Sequence, residues 1–138
     1  MAEEQLSYVR DIYSAMQPFD AEEISGALAH DIEWNLPDAL PWGGTHHGHE
    51  GIAAISEIFN DHVEGTWADP DEFFDAGDCV IVLGRIRGRA RGSGAEFEVS
   101  FAHVWVMTDG VPSWFRAYFD TAPITSALQG GGTATRRA

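Results

Sequence analysis

The spacing of hydrophobic residues changes from a helical to an extended period about halfway along the chain. Apolar side chains recur at three- and four-residue intervals over residues 6–16 and again over residues 52–63, which predicts two amphipathic helices. Between them, Asp20 followed three residues later by Glu23 resembles a capping box, and it predicts a further helix that reaches Leu28. The first half of the chain is therefore predicted to be mainly helical.

Extended segments are predicted for one short stretch in the first half and for most of the second half. A short strand is predicted at residues 32–35, where Pro37 ends it, and a loop rich in proline and glycine follows. From Thr66 onward apolar and polar residues alternate, and four strands are predicted near residues 67–75, 79–90, 95–108 and 112–120. Helices followed by a long antiparallel meander predict an α+β fold. We expect one domain over residues 1–128 and a disordered tail over residues 129–138.

A net charge of −14 limits the partners of the chain. All eight basic residues are arginines, and nucleic acid and anionic membrane surfaces are therefore poor partners. No apolar run is long enough to span a bilayer, and the acidic start, Met1–Glu4, does not resemble a signal peptide, so we expect a cytoplasmic protein. Because Cys79 is the single cysteine, an intrachain disulfide and a metal cage of thiolates are excluded.

Alternating arginines and glutamates indicate which face of the predicted sheet is exposed. A two-residue loop between the strands at 79–90 and 95–108 pairs Arg89 with Glu96 and Arg87 with Glu98. This pairing favours surface ion pairs, although an anion-binding role for Arg85 or Arg87 stays open as the alternative.

The opposite face of the same strands carries one histidine, His103, among apolar residues. A buried imidazole needs a hydrogen bond, and burial lowers its pKa. A neutral histidine is suited to general-base catalysis, whereas a lone core histidine is more often structural. Gly84 and Gly88 leave space on this face, which suits a ligand cavity, and further lining residues are available in Trp34, Asn35 and Trp42.

The register of the last hairpin, which turns at Asp109-Gly110, has two solutions. A two-residue turn pairs His103 with Arg116 and turns toward the cavity Trp114, Arg116, Tyr118 and Asp120. A three-residue turn with a glycine bulge shifts the register by one residue and turns inward Phe115, Ala117 and Phe119. A slip of one residue therefore decides whether the pocket is polar or apolar.

Three histidines in the glycine-rich loop, His46, His47 and His49, raise the question of a metal site. Three imidazoles form a known zinc ligand set, but adjacent histidines rarely converge on one ion. We therefore predict an ordinary loop at the mouth of a pocket and no bound metal.

The order of elements and three sequence segments resemble the nuclear transport factor 2-like fold. The segments are ALAHDIEWNLP, GGTHHGHEGI and HVWVMTDG with the following FRAYFD. This is the cone-shaped, cystatin-like fold of ketosteroid isomerases, limonene-epoxide hydrolases and SnoaL-like polyketide cyclases. The resemblance covers roughly residues 3–128 and implies a strongly curved antiparallel sheet wrapped around three N-terminal helices. It also implies a homodimer formed through the open sheet.

The resemblance transfers only part of the family's chemistry to this chain. The tyrosine of the isomerases falls on Ile12, next to Tyr13, and their oxyanion-binding acid falls on His103. The water-holding asparagine of the epoxide hydrolases matches Asn35. The acid–base aspartate of the cyclases matches Asp120.

We therefore predict a small cofactor-independent enzyme that abstracts a proton beside a carbonyl group of an apolar molecule, leading to cyclisation or isomerisation. His103 is expected to move the proton, with Asn35 positioning substrate or water and Asp120 as a second acid or base. The expected substrate-binding residues are Tyr13, Trp34, Trp42, Phe101, Trp105, Phe115 and Phe119. The alternatives are hydrolysis of an epoxide and a non-catalytic module for ligand binding or dimerisation.

Overall fold

In the computed structural model of the protein, the described residues are 2–16 and 19–130, without the side chains of residues 2, 66 and 67. The elements in chain order are α1 (Ala2–Ser14), α2 (Ala21–Ser25), β1 (Glu33–Leu36), β2 (Gly44–His47), α3 (Gly48–His62), β3 (Val63–Asp75), β4 (Cys79–Ala90), β5 (Glu96–Thr108), β6 (Val111–Phe119) and α4 (Ala122–Leu128). Of the predicted tail, residues 129 and 130 follow α4 as a turn, and residues 131–138 lie outside the described residues.

The six strands form one sheet with the order β2-β1-β6-β5-β4-β3. Neighbouring strands are antiparallel except that β1 runs parallel to β6. The sheet is strongly curled into a half-barrel, and the helices pack against it. The predicted α+β fold with a curved antiparallel sheet is confirmed.

The sequence did not predict two of the elements, β2 and α4. Strand β2 lies within the segment that was interpreted as a loop, and glycines at positive φ, Gly44 at 92° and Gly48 at 67°, bound it. Helix α4 begins with a proline in its first turn and buries Ile124 and Ala127. Its spacing of three residues between buried positions was a helical signal that the sequence analysis did not use.

The predicted pairing of charged residues on β4 and β5 is confirmed. Arg89 is opposite Glu96, with 2.7 Å between the guanidinium Nη2 and the carboxylate Oε2, and Arg87 is opposite Glu98. The ladder ends at the hydrogen bond from Ala90 to Ala95 and does not continue to Arg91. Arg85, which is half-buried, and Arg87, which is exposed, also pair with carboxylates on β3, Asp71 and Asp69 respectively. Both side chains therefore lie on the outer face of the sheet, opposite to His103.

The last hairpin combines a two-residue turn with a bulge further along β6. Asp109 and Gly110 have φ values of 52° and 84°, as a type I′ turn requires. The register then shifts by one residue where Ser113 is inserted between the pairs Met107–Pro112 and Val106–Trp114. His103 consequently lies opposite Ala117 and not opposite Arg116. The inward-facing set is therefore the apolar one, although the turn itself has two residues.

The glycines on the inner face of β4 make room for phenylalanine rings and not for a ligand. A Cβ atom on Gly84 would lie 2.7 Å from Cζ of Phe101, and one on Gly88 would lie 2.9 Å from Cζ of Phe97. The expectation that these glycines leave an open space is therefore wrong.

Candidate functional site

His103 lies on the inner face of β5, with 1% of its surface exposed. Apart from tyrosine and tryptophan side chains, it and Asn35 are the only buried polar or charged side chains among the described residues. An enclosed cavity lies beside the imidazole and is lined by apolar side chains from α3, β4, β5, β6, α4 and the loop before β2: Trp42, Phe59, Ile86, Phe97, Ala117, Phe119 and Ile124. A single polar group on apolar walls is the usual form of a small-molecule site.

The cavity is small in this structure. The space available to the centre of a water molecule is about 10 Å³, which corresponds to room for about one water. Larger depressions lie on the outer surface, and one of about 610 Å³ runs along the ion pairs of β4 and β5. These depressions are open, and the charged groups along β4 and β5 are paired with one another or with neighbouring strands. The enclosed space beside His103 is therefore the better candidate site, and a ligand must enlarge it.

A chain of three buried side chains fixes the orientation of the imidazole. The indole Nε1 of Trp105 donates to the hydroxyl oxygen of Tyr13 at 2.9 Å. The same hydroxyl lies 2.6 Å from Nδ1 of His103. Tyr13 comes from α1, whereas the other two residues are neighbours on one face of β5. The chain thus connects the first helix to the floor of the cavity.

Burial determines the charge state of both titratable groups in this chain. Burial lowers the pKa of the His103 imidazole well below its ordinary value, because removal from water disfavours the protonated ring. Burial raises the pKa of the Tyr13 phenol well above its ordinary value, and the hydrogen bond from Trp105 opposes this only in part. Both groups are therefore neutral near neutral pH.

Aromatic rings hold the imidazole on two sides. Phe101 stacks on His103 with 3.8 Å between ring centroids, and Phe115 contacts it edge-on at 4.8 Å. Trp34 stacks on the far side of Phe115 at 4.0 Å. A wall of five aromatic side chains thus supports His103: Tyr13, Trp34, Phe101, Trp105 and Phe115. Of the expected substrate-binding residues, only Trp42 and Phe119 line the cavity itself.

Asn35 lies on the opposite face of the sheet from His103. It is paired with the exposed Arg116, whereas the preceding residue, Trp34, is paired with the inward Phe115. Its side-chain amide is also fully engaged, because it donates to Glu33 and to the carbonyl oxygen of Phe115 and accepts from the hydroxyl of Thr45. The expectation that Asn35 positions substrate or water beside His103 is therefore wrong.

Asp120 is exposed and follows the last residue of β6. Its carboxylate accepts a hydrogen bond from the backbone amide of Ala122 at the start of α4. This contact stabilises a helix terminus and does not bring the carboxylate to the cavity. The predicted second acid or base is thus not assembled with His103.

His46 of the glycine-rich loop contacts the backbone of its own loop. Nε2 of His46 lies 3.1 Å from the carbonyl oxygen of Trp42 and 3.0 Å from that of Gly43. This geometry commits the Nε2 proton to the backbone and positions Trp42 at the cavity.

Comparisons with known proteins give one match to a family model and several matches to solved structures. Residues 9–111 match a family model described as the SnoaL-like domain. No protein of curated function matches the chain in sequence. Across residues 2–16 and 19–130, no helix has the length and apolar character needed to cross a membrane.

Several solved structures share the whole fold. An NTF2-like protein of unknown function from Burkholderia pseudomallei is 32% identical, with a TM-score of 0.83, over 91% of this chain and 97% of that one. An NTF2-like protein from Burkholderia thailandensis is 30% identical with the same TM-score and coverage. The protein TerC, crystallised with polyporic acid, is 26% identical, with a TM-score of 0.82, over 91% of this chain and 98% of that one.

Proposed function

Because the chain belongs to the SnoaL-like domain family and has the fold of nuclear transport factor 2-like proteins, we propose that it isomerises or cyclises a small apolar molecule that carries a carbonyl group. The substrate enters the cavity beside His103, and this residue acts on the carbonyl without a cofactor. TerC was crystallised with a small organic molecule, polyporic acid, which supports a ligand of this class.

The position of His103 is the observation that carries this proposal. It is the one residue with a titratable side chain among those that line the described cavity. A neutral imidazole in a dry, apolar site interacts strongly with charge that develops on a reacting oxygen. Isomerisation and cyclisation beside a carbonyl both pass through such an enolate-like oxygen.

Exchange of protons beside the carbonyl tests the proposal without knowledge of the natural substrate. A panel of small cyclic ketones is incubated with the protein in D2O, and the loss of the α-proton signals is followed by NMR. We expect faster exchange for at least one ketone. His103→Phe, which keeps an aromatic ring and removes the N–H donor, should slow it by about 10²–10³-fold, as for loss of one oxyanion-binding donor. Asp120→Asn is the control and should keep the full rate.

Two results would contradict the enzymatic proposal. One is exchange that persists unchanged in His103→Phe, which would place the chemistry elsewhere. The other is binding of a ketone, seen as shifted signals of cavity residues, without any exchange.

Non-catalytic ligand binding is the second candidate function. It is favoured by the absence of a carboxylate among the residues that line the described cavity, since proton abstraction needs a base as well as a hydrogen-bond donor. Binding without exchange in the experiment above is the outcome expected for such a carrier. Epoxide hydrolysis has no comparable support, because Asn35 lies outside the cavity.

A further inference from the structure

The hydrogen-bond chain behind His103 determines which of its ring nitrogens carries the proton. The indole Nε1 of Trp105 has a proton and no acceptor orbital, so it can only donate. The hydroxyl oxygen of Tyr13, 2.9 Å away, is therefore an acceptor in this contact. The direction of the first bond is fixed by chemistry alone.

The direction of the second bond follows from the first. The Tyr13 hydroxyl has a single proton, and Nδ1 of His103, at 2.6 Å, is its other partner. Within the described part of the chain no other acceptor is within hydrogen-bonding distance of this hydroxyl. If His103 also donated to Tyr13, the tyrosine proton would be buried without an acceptor, which is unfavourable. Tyr13 therefore donates to Nδ1.

We propose that Tyr13 and Trp105 are positioning residues that hold neutral His103 with its proton on Nε2, so that the cavity presents an N–H donor and selects ligands with an acceptor oxygen. A ketone or enolate oxygen fits this requirement, whereas a group that can only donate, such as the N–H of a pyrrole, does not. His103 is then the donor that stabilises the ligand's oxygen and not the base that removes a proton. In the proposed reaction a solvent water molecule takes up the α-proton and returns a proton to the carbon of the enolate. The ligand part of this inference rests on the proposed function, whereas the tautomer does not.

The burial of the chain keeps this arrangement constant with pH. The raised pKa of Tyr13 means that the phenol keeps its proton, and the lowered pKa of His103 means that the ring stays neutral. The ring of Phe101, which stacks on the imidazole, opposes its rotation. A flip of the imidazole would also exchange Nδ1 with a carbon atom and break the hydrogen bond to Tyr13. The donor is thus preorganised before a ligand binds.

Nitrogen-15 NMR of the unliganded full chain tests the tautomer directly. Ring nitrogens with and without a proton resonate far apart, and the signals of His103 are those that disappear in His103→Gln; contacts to the Phe101 ring give the same assignment without a variant. We expect a protonated Nε2 and an unprotonated, hydrogen-bonded Nδ1. A protonated Nδ1 would overturn the inference.

Two variants separate positioning from packing. Tyr13→Phe should move the Nδ1 signal to the position of a nitrogen without a hydrogen bond, and Trp105→Phe should shift it in the same direction by less. Trp34→Phe is the matched control, since it also shortens a buried tryptophan, and its Nε1 has no hydrogen-bond partner among the described residues. An equal change in Trp34→Phe would mean that the effect is one of packing.

Small probe molecules test the selection of ligands. Cyclopentanone is compared with methylenecyclopentane, which has the same shape without the oxygen, and with pyrrole, which offers a donor and no acceptor. We expect cyclopentanone to bind about tenfold more tightly than either, the value of one good hydrogen bond, and Tyr13→Phe to reduce this preference. Preference for pyrrole would overturn the inference. Binding of none of the probes would contradict the proposed function and leave the tautomer to the NMR result.

Discussion

At the scale of single residues, the inward orientation of His103 was predictable, and its partner was not. Glu96 faces outward because it pairs with Arg89 on the exposed face. Since side chains alternate along a strand, His103, seven residues further along β5, must face inward. Tyr13 is separated from His103 by 90 positions and comes from a different element, so no local pattern encodes their hydrogen bond.

The misplacement of Asn35 has a simple physical cause. Consecutive residues of a strand point to opposite faces, so an inward Trp34 requires an outward Asn35. A single pocket that holds both side chains is therefore excluded by the same alternation that places His103 inward. The resemblance to the epoxide hydrolases outweighed this local rule.

The buried, neutral His103 predicts a specific dependence of stability on pH. Its folded pKa lies well below the ordinary value of 6.5, so below that pH the unfolded chain binds a proton that the folded chain does not. The free energy of unfolding should therefore fall with decreasing pH, by up to about 1.4 kcal/mol per pH unit from this residue alone.

Denaturant unfolding of the protein and of His103→Gln between pH 7.5 and 5.5 measures this effect. The numerous carboxylates act in both proteins and cancel in the difference, and Tyr13, which contacts the imidazole, does not titrate in this range. The stability difference between the two proteins should shrink as the pH falls. Parallel curves would show that His103 does not titrate as its burial requires.

At the scale of elements, turns were predictable, and irregularities within strands were not. The Asp109-Gly110 dipeptide correctly predicts a two-residue turn, because both positions need positive φ. The bulge at Ser113 has no comparable signature, yet it decides that Phe115 and Ala117 face inward. Of the two sequence-based solutions, one had no shift of register and the other placed the shift at the turn, whereas it occurs further along β6.

Gly84 provides a test of how tightly β4 packs against its neighbours. A Cβ atom there would lie 2.3 Å from the carbonyl oxygen of Asp69 and 2.7 Å from Cζ of Phe101, so backbone as well as side chain must shift. We expect Gly84→Ala to destabilise the fold by about 3 kcal/mol, the upper part of the range for overpacking. Gly92→Ala is the control, because nothing lies within 4 Å of its Cβ position.

Urea unfolding of both variants measures the difference. Gly92→Ala should stay within about 0.5 kcal/mol of the unchanged protein, as surface substitutions usually do. Equal stability of Gly84→Ala and the unchanged protein would mean that β3 and β4 can separate at little cost. Displacement of Phe101 should also perturb the NMR signals of His103, since the two rings are stacked.

At the scale of the whole molecule, the order of helices and strands predicted the fold class. The curvature of the sheet was predicted only by the resemblance to the nuclear transport factor 2-like fold. Alternation shows which face of a sheet is buried but not how strongly the sheet bends. The curl depends on bulges and on packing of α1, α3 and α4, which involve residues far apart in sequence. The closed state of the cavity depends on α4, which was not predicted at all.

The outer face of the sheet leads us to propose a homodimer. Its β3–β5 part is covered by ion pairs, whereas β6 exposes Tyr118, whose surface is 51% accessible. The guanidinium of Arg116 lies between the rings of Trp114 and Tyr118, 5.7 and 5.8 Å from their centroids. An ordered aromatic and cationic surface of this kind is typical of the centre of an interface.

Sedimentation velocity tests this proposal with a matched pair of variants. The unchanged protein should sediment as two copies of 15.1 kDa, and Tyr118→Glu should dissociate them. Phe74→Glu, at an aromatic side chain on β3 that is 48% exposed, should leave the dimer intact. A monomeric unchanged protein, or equal dissociation by Phe74→Glu, would contradict an interface at β6.

The enclosed cavity has a consequence for the rate at which a ligand binds. Ile124 of α4 closes one side, and α4 is tied to the turn between β4 and β5 by the bond from the Ser93 hydroxyl to the carbonyl of Ala127. Any ligand larger than water must wait until this wall moves. The observed association rate should then level off at the opening rate as ligand concentration rises. The apparent affinity falls in proportion to the fraction of molecules whose cavity is open. Because opening limits the rate of binding, a brief incubation would underestimate the affinity of a ligand that fits well.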